Sequence, residues 1–109
     1  MQVLTYKRQQ GYIVKLRGEL DAKTAEDVEK ILDEIIKLDP EQIHIDCQDL
    51  KYISSRGLGI FVARYHEIQE KKIQFSLFNM GPSVKNVFKI LGLDEIISIN
   101  PDSSFAHKN

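Results

Sequence analysis

Residues 45–65, IDCQDLKYISSRGLGIFVARY, run from an apolar strand through a loop to two adjacent serines, and then into a helix. After Gly57 and Gly59, the residues Leu58, Phe61, Val62, Tyr65 and Ile68 recur at three- and four-residue spacing, which places them on one helical face. A strand that feeds a helix has left its hairpin partner behind. The next strand must return beside it in the same direction, because parallel neighbours are joined by a crossover of this kind. This one segment therefore commits the chain to an α/β fold. It also sets Ser54 and Ser55 where a helix begins, beside N–H groups that have no partner within the helix.

The flanking sequence repeats the alternation. Residues 2–6 and 12–17 read as two strands split by KRQQG, a hairpin closed at Gly11. Tyr12, Val14 and Leu16 would face one side, and Ile13, Lys15 and Arg17 the other. Gly18-Glu19-Leu20-Asp21 then breaks the pattern. Thr24 can cap a helix, with Asp27 three residues on in a loose capping box. Ala25, Val28, Ile31, Leu32 and Ile35 form its apolar stripe, and Leu38-Asp39-Pro40 ends it. Ile43 and Ile45 read as a strand, and the helix from Ser55 closes around Glu70-Lys71-Lys72. Ile73, Phe75 and Leu77 make another strand. Gly81-Pro82 starts a third helix with Val84, Val87, Phe88 and Leu91 as its stripe. Gly92 suits a left-handed stop with Leu93 folding back, and Ile96, Ile97 and Ile99 suit a short edge strand. The tail PDSSFAHKN is compatible with one more helical turn or with fraying. The order is ββαβαβα with room for a final short strand: a mixed sheet, hairpin first and parallel strands after, packed against helices.

At 109 residues the chain is expected to be one domain spanning 1–109. An apolar fraction of 42% and a charged fraction of 28% are those of an ordinary globular protein. The formal net charge of −1 and scattered basic residues, never more than a pair as at Lys71–Lys72, argue against nucleic-acid binding. The opening residues carry no charged segment leading into an apolar run, so no signal peptide is expected. No apolar run approaches the ~20 residues that span a bilayer, so neither membrane insertion nor a location outside the cytoplasm is expected. Cys47 is the one cysteine, leaving no internal disulfide, and reads as a small buried side chain.

Candidate chemistry centres on the serines. One hydroxyl can cap the helix, and a phosphate added there would meet a favourable field. The spacing G-x-x-x-x-G-K-[ST] of a nucleotide loop is absent, and Gly57 and Gly59 read equally well as small residues where the helix packs closely on the sheet. His44 and Asp46 share one side of a strand without a second metal-ligating cluster, and His66 and His107 read as solvated or hydrogen-bonded. ISSRGLG lacks the G-x-S-x-G elbow of a serine hydrolase. No catalytic residue, metal or cofactor is expected.

Two motifs resemble the STAS-domain, anti-sigma-factor antagonist family of bacteria. Gly18-Glu19-Leu20-Asp21 with Thr24-Ala25-Glu26 is similar to the family's G-[ED]-[LI]-D-x-x-[TN]-[AS] segment. Asp46-Cys47-Gln48-Asp49-Leu50, followed by Tyr52-Ile53-Ser54-Ser55-Arg56-Gly57-Leu58-Gly59, resembles D-L-S-x-[VL]-x-[FY]-[MI]-[DS]-S-[ST/A]-G-L-[GR], and Gly92-Leu93-Asp94 resembles the family's ending. The resemblance implies a single STAS-like domain that is not an enzyme. It implies a partner, an anti-sigma factor that is also a serine kinase and supplies ATP and magnesium. It further implies that the unphosphorylated chain binds this partner and so releases a sigma factor, that phosphorylation at Ser55 abolishes the binding, and that a metal-dependent phosphatase of the PPM type restores it. Asp21, Ser54, Ser55, Arg56, Gly57, Leu58 and Gly59 are the partner-binding positions so implied. Ser54 stands where many members carry aspartate and Arg56 where a small residue is usual. Arg56 can hold a phosphate, select a kinase surface, or simply be exposed. A STAS subunit of a stressosome-type scaffold, or an accessory of a lipid or anion transporter, is the alternative the same resemblance allows.

Overall fold

The computed structural model describes residues 1–100. Five strands, β1 (Gln2–Arg8), β2 (Gly11–Leu20), β3 (Gln42–Ile53), β4 (Gln74–Phe78) and β5 (Ser98–Asn100), lie in the order 1-2-3-4-5. The β1–β2 hairpin is antiparallel; every later neighbour is parallel. Three helices, α1 (Ala25–Ile36), α2 (Ser55–Glu70) and α3 (Pro82–Ile90), make the crossovers. Strands that follow one another across a sheet through right-handed crossovers put their helices on one face. There Val14, Leu16, Ile43, Ile45, Cys47 and Leu77 meet Val28, Leu32, Phe61, Ile68, Val84 and Phe88 in one continuous core.

The expected element order holds, and so does the mixed sheet. The boundaries differ where glycine and local pairing override simple alternation. β2 does not stop at Gly18. Gly18 takes φ of 114°, a conformation open to a residue without Cβ, and the register against β3 shifts on either side of it, so the strand continues through a bulge to Leu20. β3 likewise runs on to Ile53, where a loop was expected, with Asp49, Leu50, Tyr52 and Ile53 paired to Arg17, Gly18, Glu19 and Leu20. Two long strands thus end together.

Gln9 and Gln10 form the hairpin turn, and Gly11 is already paired with Arg8. A Cβ at Gly11 would lie 1.9 Å from the Gln42 carbonyl oxygen, so the close approach of β3 requires glycine there. Val62 and Leu91, expected on buried stripes, are exposed, whereas Ile60 is buried in α2. Gly92 does take the left-handed stop at φ 72°, and Leu93 packs back on the core at the start of a 3₁₀ turn, Leu93–Glu95. Ile97 is buried and β5 begins one residue later, as the edge-strand reading required in outline. The tail from residue 101, including His107, lies outside the described residues.

Candidate functional site at the start of the second crossover helix

The paired ends of β2 and β3 deliver Asp21 and Ser54 to the same corner. The Ser54 N–H donates to the Leu20 carbonyl at 2.9 Å, extending the ladder by one bond before the two chains part. Ser54 then caps α2: its Oγ accepts from the Gly57 N–H at 3.2 Å, and its carbonyl accepts from Leu58 N–H at 2.9 Å. Capping is therefore assigned to Ser54. Ser55, the first helical residue, is exposed, and its hydroxyl has no hydrogen-bond partner among the described residues.

The glycines separate into two kinds. A Cβ on Gly57 would fall 2.8 Å from both the carbonyl oxygen and Cγ of Leu20 and 3.1 Å from Ile53 Cγ1. Gly57 lets the first turn of α2 sit directly on the strand ends. Gly59 has open space where its side chain would be, so the close-packing explanation fails for it. Leu58 is 4% exposed and Gly57 is buried, so these two lie beneath the exposed surface of the corner. Asp21, Ser54, Ser55, Arg56 and Gly59 retain some exposure.

Thr24 occupies the N-cap position of α1 but makes no capping bond, contrary to the capping box expected with Asp27. Its hydroxyl donates to the Glu19 carbonyl at 2.8 Å instead. Asp21 does the organising: its Oδ1 accepts from the N–H groups of Lys23 at 2.9 Å and Thr24 at 3.1 Å. The bond from the Thr24 N–H, helped by that from Lys23 and by the Thr24 hydroxyl, holds the Asp21 carboxyl below the usual aspartate range. A turn carboxylate and a surface anion are here the same group.

Four charged residues missing from the sequence reading, or read only in part, brace the site from behind. Arg56 donates from Nη2 to Glu29 Oε1 on α1. Arg64 donates from Nη2 to Glu29 Oε2 at 3.1 Å and forks onto Asp33, Nε to Oδ1 at 2.8 Å and Nη2 to Oδ2 at 3.1 Å. It also reaches the Ile60 carbonyl at 3.1 Å. The Arg56 bond, followed by Arg64, keeps the Glu29 carboxyl low, and the Asp33 fork raises the Arg64 pKa. Glu29 and Asp33 are four residues apart and Arg56 and Arg64 eight, so each pair shares a face; that the faces meet is a tertiary fact.

No imidazole stands beside Ser55 among the described residues. His44 lies at the other end of β3, on the order of 25–30 Å away at a strand's ~3.3 Å per residue. It is buried, with Nδ1 2.6 Å from Ser76 Oγ and Nε2 2.9 Å from Gln42 Oε1, and burial lowers its pKa to about 4. His66 sits eleven residues along α2, paired with Glu70. Cys47 is buried, and burial followed by the neighbouring Asp46 charge pushes its thiol far up. Among the described residues there is no cluster of three metal-ligating side chains, and no helix is long and apolar enough to cross a membrane.

This corner joins two paired strand ends to a capped helix and leaves a first-turn serine exposed. Residues 2–106 match the family model of the STAS domain, and the chain belongs to that family. It is 32% identical over 82 residues, 75% of this chain and 72% of the relative, to an anti-sigma-B factor antagonist of Listeria monocytogenes. The crystal structure of an anti-sigma factor antagonist from Mycobacterium paratuberculosis superposes with a TM-score of 0.89 at 24% identity, covering 98% of this chain and 91% of that one. The phosphorylated form of the Bacillus cell fate determinant SpoIIAA gives a TM-score of 0.75 at 21% identity, with 98% of each chain covered.

Proposed function

We propose that this chain is an anti-sigma factor antagonist that switches partners through Ser55. Unphosphorylated, it binds an anti-sigma factor that is also a serine kinase, in the cytoplasm, and a sigma factor is released. In that complex the Ser55 Oγ attacks the γ-phosphorus of the partner's nucleoside triphosphate. A new O–P bond forms, the bond to the diphosphate leaving group breaks, and the hydroxyl proton passes to a base on the partner. The phosphorylated chain dissociates, and a metal-dependent phosphatase of the PPM type hydrolyses the ester.

The observation that carries this reading is the division of labour between the serines. Ser54 takes the capping bond, so Ser55 is left exposed with its oxygen unused. A phosphate on it enters the favourable end of the α2 dipole, and the fold survives the modification. Against a kinase's own carboxylates or bound nucleotide phosphates the same charge is repulsive. Asp21, Arg56 and Gly59 would border the contact, with Gly57 and Leu58 beneath it. The similarity to an anti-sigma-B factor antagonist and to a fold neighbour solved in its phosphorylated form supports the reading. Mass spectrometry after incubation with a cognate anti-sigma kinase and ATP·Mg tests it: one phosphate on Ser55, absent in Ser55→Ala, is the expected result, and no incorporation rejects it.

A further inference from the structure

The cation next to Ser55 is already engaged, and its engagement is lopsided. Arg56 is half exposed and pairs with one carboxylate, Glu29. Glu29 also holds Arg64, and Arg64 holds Asp33 through a two-bonded fork. Taking Arg56 away therefore leaves Glu29 with a partner. Arg64, at 13% exposure, is the fixed member of the network, and Arg56 is the one that can leave.

We propose that Arg56 is the intramolecular receptor for a phosphate on Ser55, parked on Glu29 until the phosphate arrives and then transferred to it. This rests on the reading of Ser55 as the modified residue and assigns how the modification is held. A phosphoserine carries about −1.5 to −2 charges at pH 7, against the single charge Glu29 shares between two arginines. The planar guanidinium matches phosphoryl oxygens with two parallel N–H donors. Both residues stand in the first turn of α2, where successive side chains leave the helix in different directions, so the guanidinium reaches the phosphate by swinging its long side chain off α1. Modification then changes the surface twice over: an anion appears at Ser55, and a guanidinium withdraws from α1. A partner that reads Arg56 in its parked position loses that contact as well.

The test uses the full 109-residue chain with phosphoserine inserted at position 55 during translation, so that no kinase is needed. Phosphorus NMR follows the second ionisation of the phosphate against pH in the otherwise unaltered chain and in Arg56→Ala, Arg56→Lys and Glu29→Gln. The α2 dipole acts on all four alike, so differences between them isolate the side chain. The unaltered chain should ionise about half a pH unit below Arg56→Ala, a threefold shift, with Arg56→Lys between them. Glu29→Gln, which removes the competitor, should ionise as low as the unaltered chain or lower. Coincident midpoints for the unaltered chain and Arg56→Ala would overturn the proposal, as would a Glu29→Gln midpoint raised to the Arg56→Ala value. A kinase that ignores the chain would reject the proposed function without touching this titration. Coincident midpoints would reject the receptor and leave the partner-switching reading standing.

Discussion

Gly57 lies against Leu20 so closely that a methyl group on its α-carbon would be 2.8 Å from the Leu20 carbonyl oxygen. That oxygen cannot swing aside, because it accepts the Ser54 N–H at 2.9 Å. The start of α2 is thereby pinned to the end of β2, and with it the position of Ser55 relative to Asp21.

Gly57→Ala should consequently destabilise the fold by about 1–3 kcal/mol, the usual cost of forcing a carbon into a packed site. Gly59→Ala should do the opposite, gaining up to about 0.5–1 kcal/mol, because an open helix-interior glycine costs backbone entropy. Urea unfolding of the two variants checks the pair; equal effects would mean that α2 is not pinned at Gly57.

Ser54→Ala removes the cap from Gly57 N–H and should cost about 1 kcal/mol, whereas Ser54→Asp should keep most of it. Ser55→Ala should leave the unfolding midpoint unchanged. A stability loss at Ser55 in place of Ser54 would reverse the roles assigned to the two hydroxyls.

Asp21 combines a turn and a charge, and Asp21→Asn separates them. The amide oxygen can still accept from Lys23 and Thr24, so thermal stability should hold. If the partner reads the charge, affinity for it should fall by about tenfold, or ~1.4 kcal/mol. Calorimetric binding measurements with the kinase decide; unchanged affinity confines Asp21 to the turn.

Protons should unfold the chain in two stages. His44 is kept neutral by burial, with a folded pKa of about 4 against 6.5 for the free side chain. The unfolded chain takes up that proton first, so stability falls as pH drops from 6.5 towards 4, by on the order of 3 kcal/mol in all. Asp21 and Glu29 are depressed carboxyls; what they contribute is present above their unfolded values near 4 and is lost only as pH falls further, through their folded ones. The slope between pH 6.5 and 4 should flatten in His44→Gln. A slope that persists there would assign the acid sensitivity elsewhere.

The sequence carried the element order because apolar spacing switches cleanly between two and three or four residues in each segment, and each crossover forces a parallel return. It placed both serines at a helix start, but not which of the two caps it. It did not carry the length of β2 and β3, since Gly18 and the polar run Gln48-Asp49 look like breaks until their register is seen. Nor did it distinguish Gly57 from Gly59: both suit a tight contact, and the rotation of α2 decides which one meets Leu20. The Glu29–Arg56–Arg64–Asp33 network was hidden for the same reason. Each pair shares a helical face in sequence, but only helix packing brings the two faces together.

The central claim is that the charge on Ser55 decides whether the partner binds. Titration calorimetry with the cognate anti-sigma kinase should compare the unmodified chain, Ser55→Ala and the chain carrying phosphoserine at position 55. The account predicts matching affinities for the first two and a loss of about a hundredfold, ~3 kcal/mol, for the third. Equal affinity for all three would contradict it.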